Sequence, residues 1–70
     1  MHKYRLVTYD TRVPMDDAEV IATFHNYEGA LHFVTNWKKL GDRIDFCREY
    51  ETIDIYNVNN IMYAWLEVAA

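Results

Sequence analysis

A chain of 70 residues with a formal net charge of −4 has room for one small domain, and its acidic balance argues against a simple nucleic-acid binder, which needs a basic face. Its 51% hydrophobic content excludes disorder of the whole chain, and a single cysteine, Cys47, excludes an internal disulfide. No signal-peptide pattern or long apolar run is present, so we expect a cytoplasmic protein.

The first two predicted elements are strands joined by a loop. Residues Lys3–Tyr9 and Glu19–His25 alternate and are rich in β-branched and aromatic side chains, which favours two strands pairing as an antiparallel hairpin. The segment Asp10–Asp17 between them contains the only proline and predicts a loop. The side chains predicted to share one face of each strand are Tyr4, Leu6 and Thr8 in the first strand, and Val20, Ala22 and Phe24 in the second.

The window Asn26–Gly41 has the periodicity of a helix. Asn26 can cap its start, and Gly41 can end it as a left-handed residue. Lys38 and Lys39 then fall in the last turn, where the helix dipole favours cations. The apolar stripe predicted to pack on the sheet is Tyr27, Ala30, Leu31, Val34, Trp37 and Leu40.

The rest of the chain predicts strands at Asp42–Arg48, Thr52–Val58 and Ile61–Val68. A bend at Glu49–Glu51 separates the first two, which could also form one long bent strand, and a tight turn is expected at Asn57–Asn60. In the first of these strands Ile44 and Phe46 would face inward. The last strand is apolar on both faces, which favours a central, doubly covered or interface position.

These elements predict an α+β fold over residues 1–70, in the order ββαβββ, with a single helix packed on one face of a curved antiparallel sheet. The other face of the sheet would then stay open. It would carry some of Tyr9, Val7, Ile21, Tyr56 and Trp65.

Carboxylates and aromatic rings are the best candidates for a functional surface. Asp45 and Asp54 could project from neighbouring positions of one sheet face, and with Asp16, Asp17 and Glu19 they would form an acidic edge. Such an edge can occupy a basic groove of a nucleic-acid-handling protein, or can simply be a solvated face that keeps the chain soluble. The predicted partner-binding residues are Asp45, Glu49, Glu51, Asp54, Tyr56 and Trp65.

No catalytic, cofactor-binding or metal-binding residue is predicted. His2, His25 and His32 lack metal-ligand spacing, and the two glycines form no phosphate-binding loop. Cys47 is expected to be a buried small side chain rather than a nucleophile.

The layout of a hairpin, a helix opening Tyr-Glu-Gly-Ala-Leu-His-Phe and a Leu40-Gly41 turn into strands resembles small phage-encoded proteins over residues 19–48. Several of these bind host machinery, among them RNA polymerase inhibitors and anti-defence proteins such as anti-CRISPRs. The resemblance implies a stoichiometric, non-enzymatic inhibitor acting by surface contact on a larger host protein in the host cytoplasm. It assigns no residue.

Two alternatives to an inhibitor remain open on the sequence. One is a homo-oligomer, for example a homodimer, that associates through Ile61–Val68. The other is a small-ligand binder with a cleft between helix and sheet. Neither direct nucleic-acid binding nor membrane binding is expected.

Overall fold

The computed structural model describes residues 3–8 and 19–68, so the predicted loop Asp10–Asp17 and Tyr9 lie outside the described residues. The described part has the predicted order ββαβββ: β1 Tyr4–Thr8, β2 Glu19–Phe24, α1 Tyr27–Trp37, β3 Arg43–Cys47, β4 Thr52–Tyr56 and β5 Met62–Val68. All five strands form one antiparallel sheet in the order β2-β1-β5-β4-β3. The predicted α+β fold, with one helix on one face of an antiparallel sheet, is confirmed.

The position of α1 follows from the strand order. β2 and β3 lie at opposite edges of the sheet, and four strand spacings of about 4.8 Å separate them by roughly 19 Å. The chain between them must therefore cross the sheet, and α1 makes that crossing on one face, in contact with β1 and β2.

The core lies between α1 and the sheet. The predicted helix stripe is confirmed from Tyr27 to Trp37, since its first four members are buried and Trp37 packs against the core. The Tyr27 hydroxyl donates a 2.8 Å hydrogen bond to the Thr52 carbonyl oxygen, which joins the start of α1 to β4. The fully buried partners on the sheet are Tyr4, Leu6, Ile53, Ile55 and Ala64.

The prediction that the helix continues to Gly41 was wrong. Lys38 leaves the helix with an extended backbone (φ −61°, ψ 152°), and no lysine lies in the last turn. Gly41 has the expected positive φ of 92°, but it serves a separate turn in which the Asp42 amide donates to the Lys39 carbonyl. This turn redirects the chain into edge strand β3, and it leaves Leu40 fully exposed rather than on the buried stripe.

Two irregularities in the strand pairing change the predicted faces. In β2 the register shifts by one residue at Ile21, so Val20 pairs with Val7 while Ala22 pairs with Leu6, on opposite faces of the sheet. In β5 the shift falls at Tyr63. The centroid of the Tyr63 ring lies 6.0 Å from the centroid of the Trp37 ring of α1. A strict alternation of period two therefore fails in both strands.

The C-terminal half forms two consecutive hairpins. β3 and β4 are separate paired strands rather than one bent strand, and the turn between them includes Glu51 at φ 56°. The predicted turn at Asn57–Asn60 is present, with Asn60 at φ 63°. β5 is central, as its two apolar faces indicated. Phe46 on edge strand β3 faces inward beside Ile53, as predicted, but it stays 48% exposed because α1 lies over β1 and β2, toward the opposite edge of the sheet.

Candidate partner-binding face

The sheet face opposite α1 is the candidate functional surface. Residues directly opposite each other in an antiparallel sheet project from the same face. The open face is accordingly defined by a central row with one residue from each strand, Val20, Val7, Trp65, Asp54 and Asp45, and by flanking residues Arg5, Glu67, Arg43 and Tyr56.

The central row changes character across the sheet. Its β2, β1 and β5 members are apolar, and Val7 between Val20 and Trp65 is only 4% exposed. Its β4 and β3 members are the two aspartates. The open face therefore joins an apolar half to an acidic half, with the Trp65 indole at the boundary.

The acidic half brings two carboxylates together. Asp45 and Asp54 project from the same face, as the sequence predicted. They are directly paired across β3 and β4, and like charges in this position repel each other. Arg43 Nη1 donates a 2.6 Å hydrogen bond to Asp45 Oδ2 and so compensates one of them. Within residues 3–8 and 19–68 no cation forms an ion pair with Asp54.

Arg43 also covers an aromatic ring on this face. Its guanidinium carbon lies 4.3 Å from the centroid of the Tyr56 ring, at cation–π distance, and its other nitrogen donates to Asn60 Oδ1 at 2.7 Å. A guanidinium can thus bind a carboxylate and an aromatic ring of the open face at the same time.

The Trp65 indole is oriented by Glu67. Its N–H donates to Glu67 Oε1 at 3.1 Å, and Arg5 Nε donates to the other carboxylate oxygen at 3.0 Å. These hydrogen bonds, from Trp65 first and Arg5 second, hold the pKa of Glu67 below its ordinary value. The Glu67 carboxylate therefore binds the Trp65 indole and the Arg5 guanidinium at the same time.

The six predicted partner-binding residues separate into two groups. Asp45, Asp54, Tyr56 and Trp65 share the open face. Glu49 and Glu51 lie instead in the turn between β3 and β4. Glu51 accepts a hydrogen bond from the Tyr4 hydroxyl, which belongs to the core on the helix side of the sheet.

Of the acids around the start of β2 that were predicted to widen the acidic edge, Glu19 alone lies within the described residues, and it does not join that edge. Asp16 and Asp17 lie outside the described residues, and Glu19 pairs with Thr8, on the face that carries Leu6 and α1.

Cys47 is half-buried on edge strand β3 rather than fully buried. In the described ranges no three His, Cys, Asp or Glu side chains are grouped so that they could hold a metal ion.

Sequence reasoning missed the residues that complete the face. Arg43 lies two positions before Asp45 on β3, so the alternation that placed Asp45 could also have placed Arg43 beside it. Arg5 and Glu67 had no such signal, because they are 62 positions apart and meet only through the pairing of β1 with β5.

No helix in the described part of the chain is long and apolar enough to cross a membrane. Comparisons with protein-family models, curated proteins and solved structures found no match to this chain.

Proposed function

We propose that this chain is a non-enzymatic protein-binding regulator, and that its open face binds a basic segment of a larger protein. The observation that carries the proposal is the Asp45–Asp54 pair, of which only Asp45 has an ion-pair partner among the described residues. Two opposed carboxylates lower the stability of the free protein. A cation supplied by a partner would remove that repulsion on binding.

The chemistry of the face favours a guanidinium over an ammonium group. Arg43 already joins the Asp45 carboxylate and the Tyr56 ring, and its planar fork is suited to such combined contacts. An arginine of the partner would pair with the Asp54 carboxylate, which lies opposite Trp65 across β4 and β5. In the apolar half of the face, Val20 is 50% exposed and would supply contact area beside this charged anchor.

This binding mode supports inhibition by occupancy. A basic groove on a nucleic-acid-handling protein presents arginines along the path of the phosphates, and an acidic surface seated there blocks that path. The narrower proposal of a phage-type inhibitor of host machinery rests on the layout resemblance alone.

The direct test is capture of a partner from the lysate of the native host by tagged protein, with charge-matched variants. We expect one stoichiometric partner that is lost with Asp54→Asn and retained with Glu49→Gln. Both variants remove one negative charge, but Glu49 is exposed in the β3–β4 turn and off the open face. Equal loss in both variants would mean that only net charge matters, and would reject a site on the open face.

The aromatic contribution needs its own variant. Tyr56→Ala should weaken binding while leaving the helix signal in far-UV circular dichroism unchanged, because Tyr56 faces away from α1. Retained binding by this variant would remove Tyr56 from the proposed site.

The strand order restricts the ways in which the chain could self-associate through its last strand. Both edges of β5 are paired, one with β1 and the other with β4, so a copy of the chain cannot extend the sheet there. Only face-to-face packing of the open face on a second copy remains. A monomeric mass at high micromolar concentration in light scattering would reject it.

A further inference from the structure

Two turns meet at one end of the sheet, far from the β3–β4 turn. They are the turn closed between Lys39 and Asp42 and the turn closed between Asn57 and Asn60. A Cβ atom at Gly41 would lie 3.2 Å from Val58 Cγ1, so the two turns are in close contact. Two further bonds tie the same end, from Arg43 to Asn60 at 2.7 Å and from Tyr63 to Asp42 at 2.5 Å.

Three aliphatic side chains project into water from this end. Leu40 is 100% exposed, Val58 is 72% exposed and Ile61 is 55% exposed. We call these three residues the aliphatic tip. Exposed apolar groups that lie together mark surfaces for contact with another molecule or with a membrane.

Hydrogen bonds and a glycine fix the backbone of the two turns that carry the aliphatic tip. The Asn57 side-chain oxygen accepts hydrogen bonds from the backbone amides of Asn59 at 2.9 Å and Ile61 at 3.1 Å. Gly41, at φ 92°, lets the other turn close and leaves Leu40 at its outer corner. The exposed side chains are thus presented on an ordered backbone, which lowers the entropy cost of contact.

The charge around the aliphatic tip is opposite in sign to that of the chain. Lys38 and Lys39 stand here against one carboxylate, Asp42, although the whole chain has a net charge of −4. Arg43 adds nothing to this local charge, because Asp45 neutralises it at 2.6 Å. The acids Glu49 and Glu51 lie in the β3–β4 turn at the other end of β3. This arrangement would orient the aliphatic tip toward an anionic surface.

We propose that the aliphatic tip docks on the surface of an anionic lipid bilayer. Aliphatic side chains would enter the interface, and the two lysines beside Leu40 would contact acidic headgroups. The shape of the aliphatic tip fits a bilayer better than a protein partner. A bilayer accepts side chains that project from two separate turns, whereas a protein would need a matching pocket. The proposal departs from the expectation of no membrane contact, and it involves residues that the open face does not use.

The test is co-sedimentation with phosphatidylcholine vesicles made with and without phosphatidylserine. We expect binding only to vesicles that contain phosphatidylserine, reversed by added salt. Leu40→Ser should lower the affinity at least about tenfold, the factor for withdrawing one leucine side chain from an apolar environment. Replacing Lys38 and Lys39 together by Gln should lower it on the order of 30-fold, from about 1 kcal/mol for each lysine near the surface.

Tyr50→Ser is the matched control, because Tyr50 is 74% exposed in the β3–β4 turn. It should bind vesicles like the unchanged protein. Leu40 is fully exposed, so Leu40→Ser should keep the melting temperature, which separates a binding defect from misfolding. Absence of binding to phosphatidylserine vesicles, or equal loss with Leu40→Ser and Tyr50→Ser, would overturn the proposal whatever the outcome of the partner capture.

Discussion

At the scale of single residues, the pairing of Asp45 with Asp54 is the feature that folding alone does not explain. Neighbouring strands usually place opposite charges or apolar groups at such positions, since like charges directly opposite are destabilising. Arg43 compensates Asp45, and its contacts with Tyr56 and Asn60 hold it there. Asp54 thus carries a cost to stability that a binding role would justify.

Replacing Asp54 by Asn should therefore stabilise the free protein. Removing the repulsion should raise the free energy of unfolding by about 0.5 kcal/mol, in the range of cross-strand pair energies. Urea denaturation at neutral pH measures it, with Glu49→Gln as the control of equal charge that should change little. A clear loss of stability in Asp54→Asn would show that the carboxylate has a structural role and would weaken the proposed function.

Gly41 is the position where backbone conformation restricts the residue type most. Gly41→Ala should destabilise the fold by about 1–2 kcal/mol, because a Cβ is strained at φ 92° and would also press on Val58. Thermal unfolding measures the effect. Adding Val58→Ala to the same chain should recover only the part due to the contact, and full recovery would contradict backbone strain as the main cause.

At the scale of elements, α1 is defined by its start more than by its end. The Asn26 side chain accepts a 2.7 Å hydrogen bond from the Gly29 amide, the geometry of an N-cap. At the other end the chain turns out at Lys38, and the Trp37 ring packs beside Tyr63. The cap is encoded locally, whereas the last helical residue, Trp37, packs against a residue from β5.

Removal of the cap should lower stability measurably. Asn26→Ala should cost about 1 kcal/mol, because one amide of the first turn loses its acceptor. Asn26→Asp keeps an acceptor and should retain most of the stability. Chemical denaturation followed by circular dichroism distinguishes them, and similar losses in both variants would mean that the cap hydrogen bond is not the cause.

At the scale of the whole molecule, three tyrosines join distant parts of the chain through their hydroxyl groups. Tyr4 donates to Glu51, Tyr27 to the Thr52 carbonyl and Tyr63 to Asp42. Bonding to the Glu51 carboxylate raises the pKa of Tyr4, and burial is the main cause of the raised pKa values of Tyr27 and Tyr63. In all three the neutral phenol is the form that the fold requires.

The fold should accordingly lose stability in alkali. An unfolded chain releases these protons near the ordinary tyrosine pKa of 10.0, while the folded chain still holds them. The contribution is therefore complete below about pH 10 and is lost as the pH rises through the higher folded pKa values. Urea denaturation across this range, with phenolate absorbance, measures it; three phenols that titrate normally in the folded protein would contradict the prediction.

Much of the fold was predictable because it depends on neighbours in sequence. The alternation of Tyr4 and Leu6, the spacing from Tyr27 to Trp37 and the asparagines around residue 60 each encode an element or a turn. The same alternation placed Asp45 and Asp54 on one face once β3 and β4 formed a hairpin. Short-range patterns therefore determined the order of elements and the shared face of Asp45 and Asp54.

Only the tertiary structure decided the strand order and the two register shifts. It also decided which residues lie next to each residue of the candidate site. The pairing of β1 with β5 brings Arg5 to Glu67 and Val7 to Trp65, and no local pattern selects those partners. Glu51 is drawn to Tyr4 rather than to the open face for the same reason. By itself, the sequence determined an acidic α+β chain with one amphipathic helix; packing between distant residues decided which side chains share a surface, because those contacts exist only when the sheet is assembled.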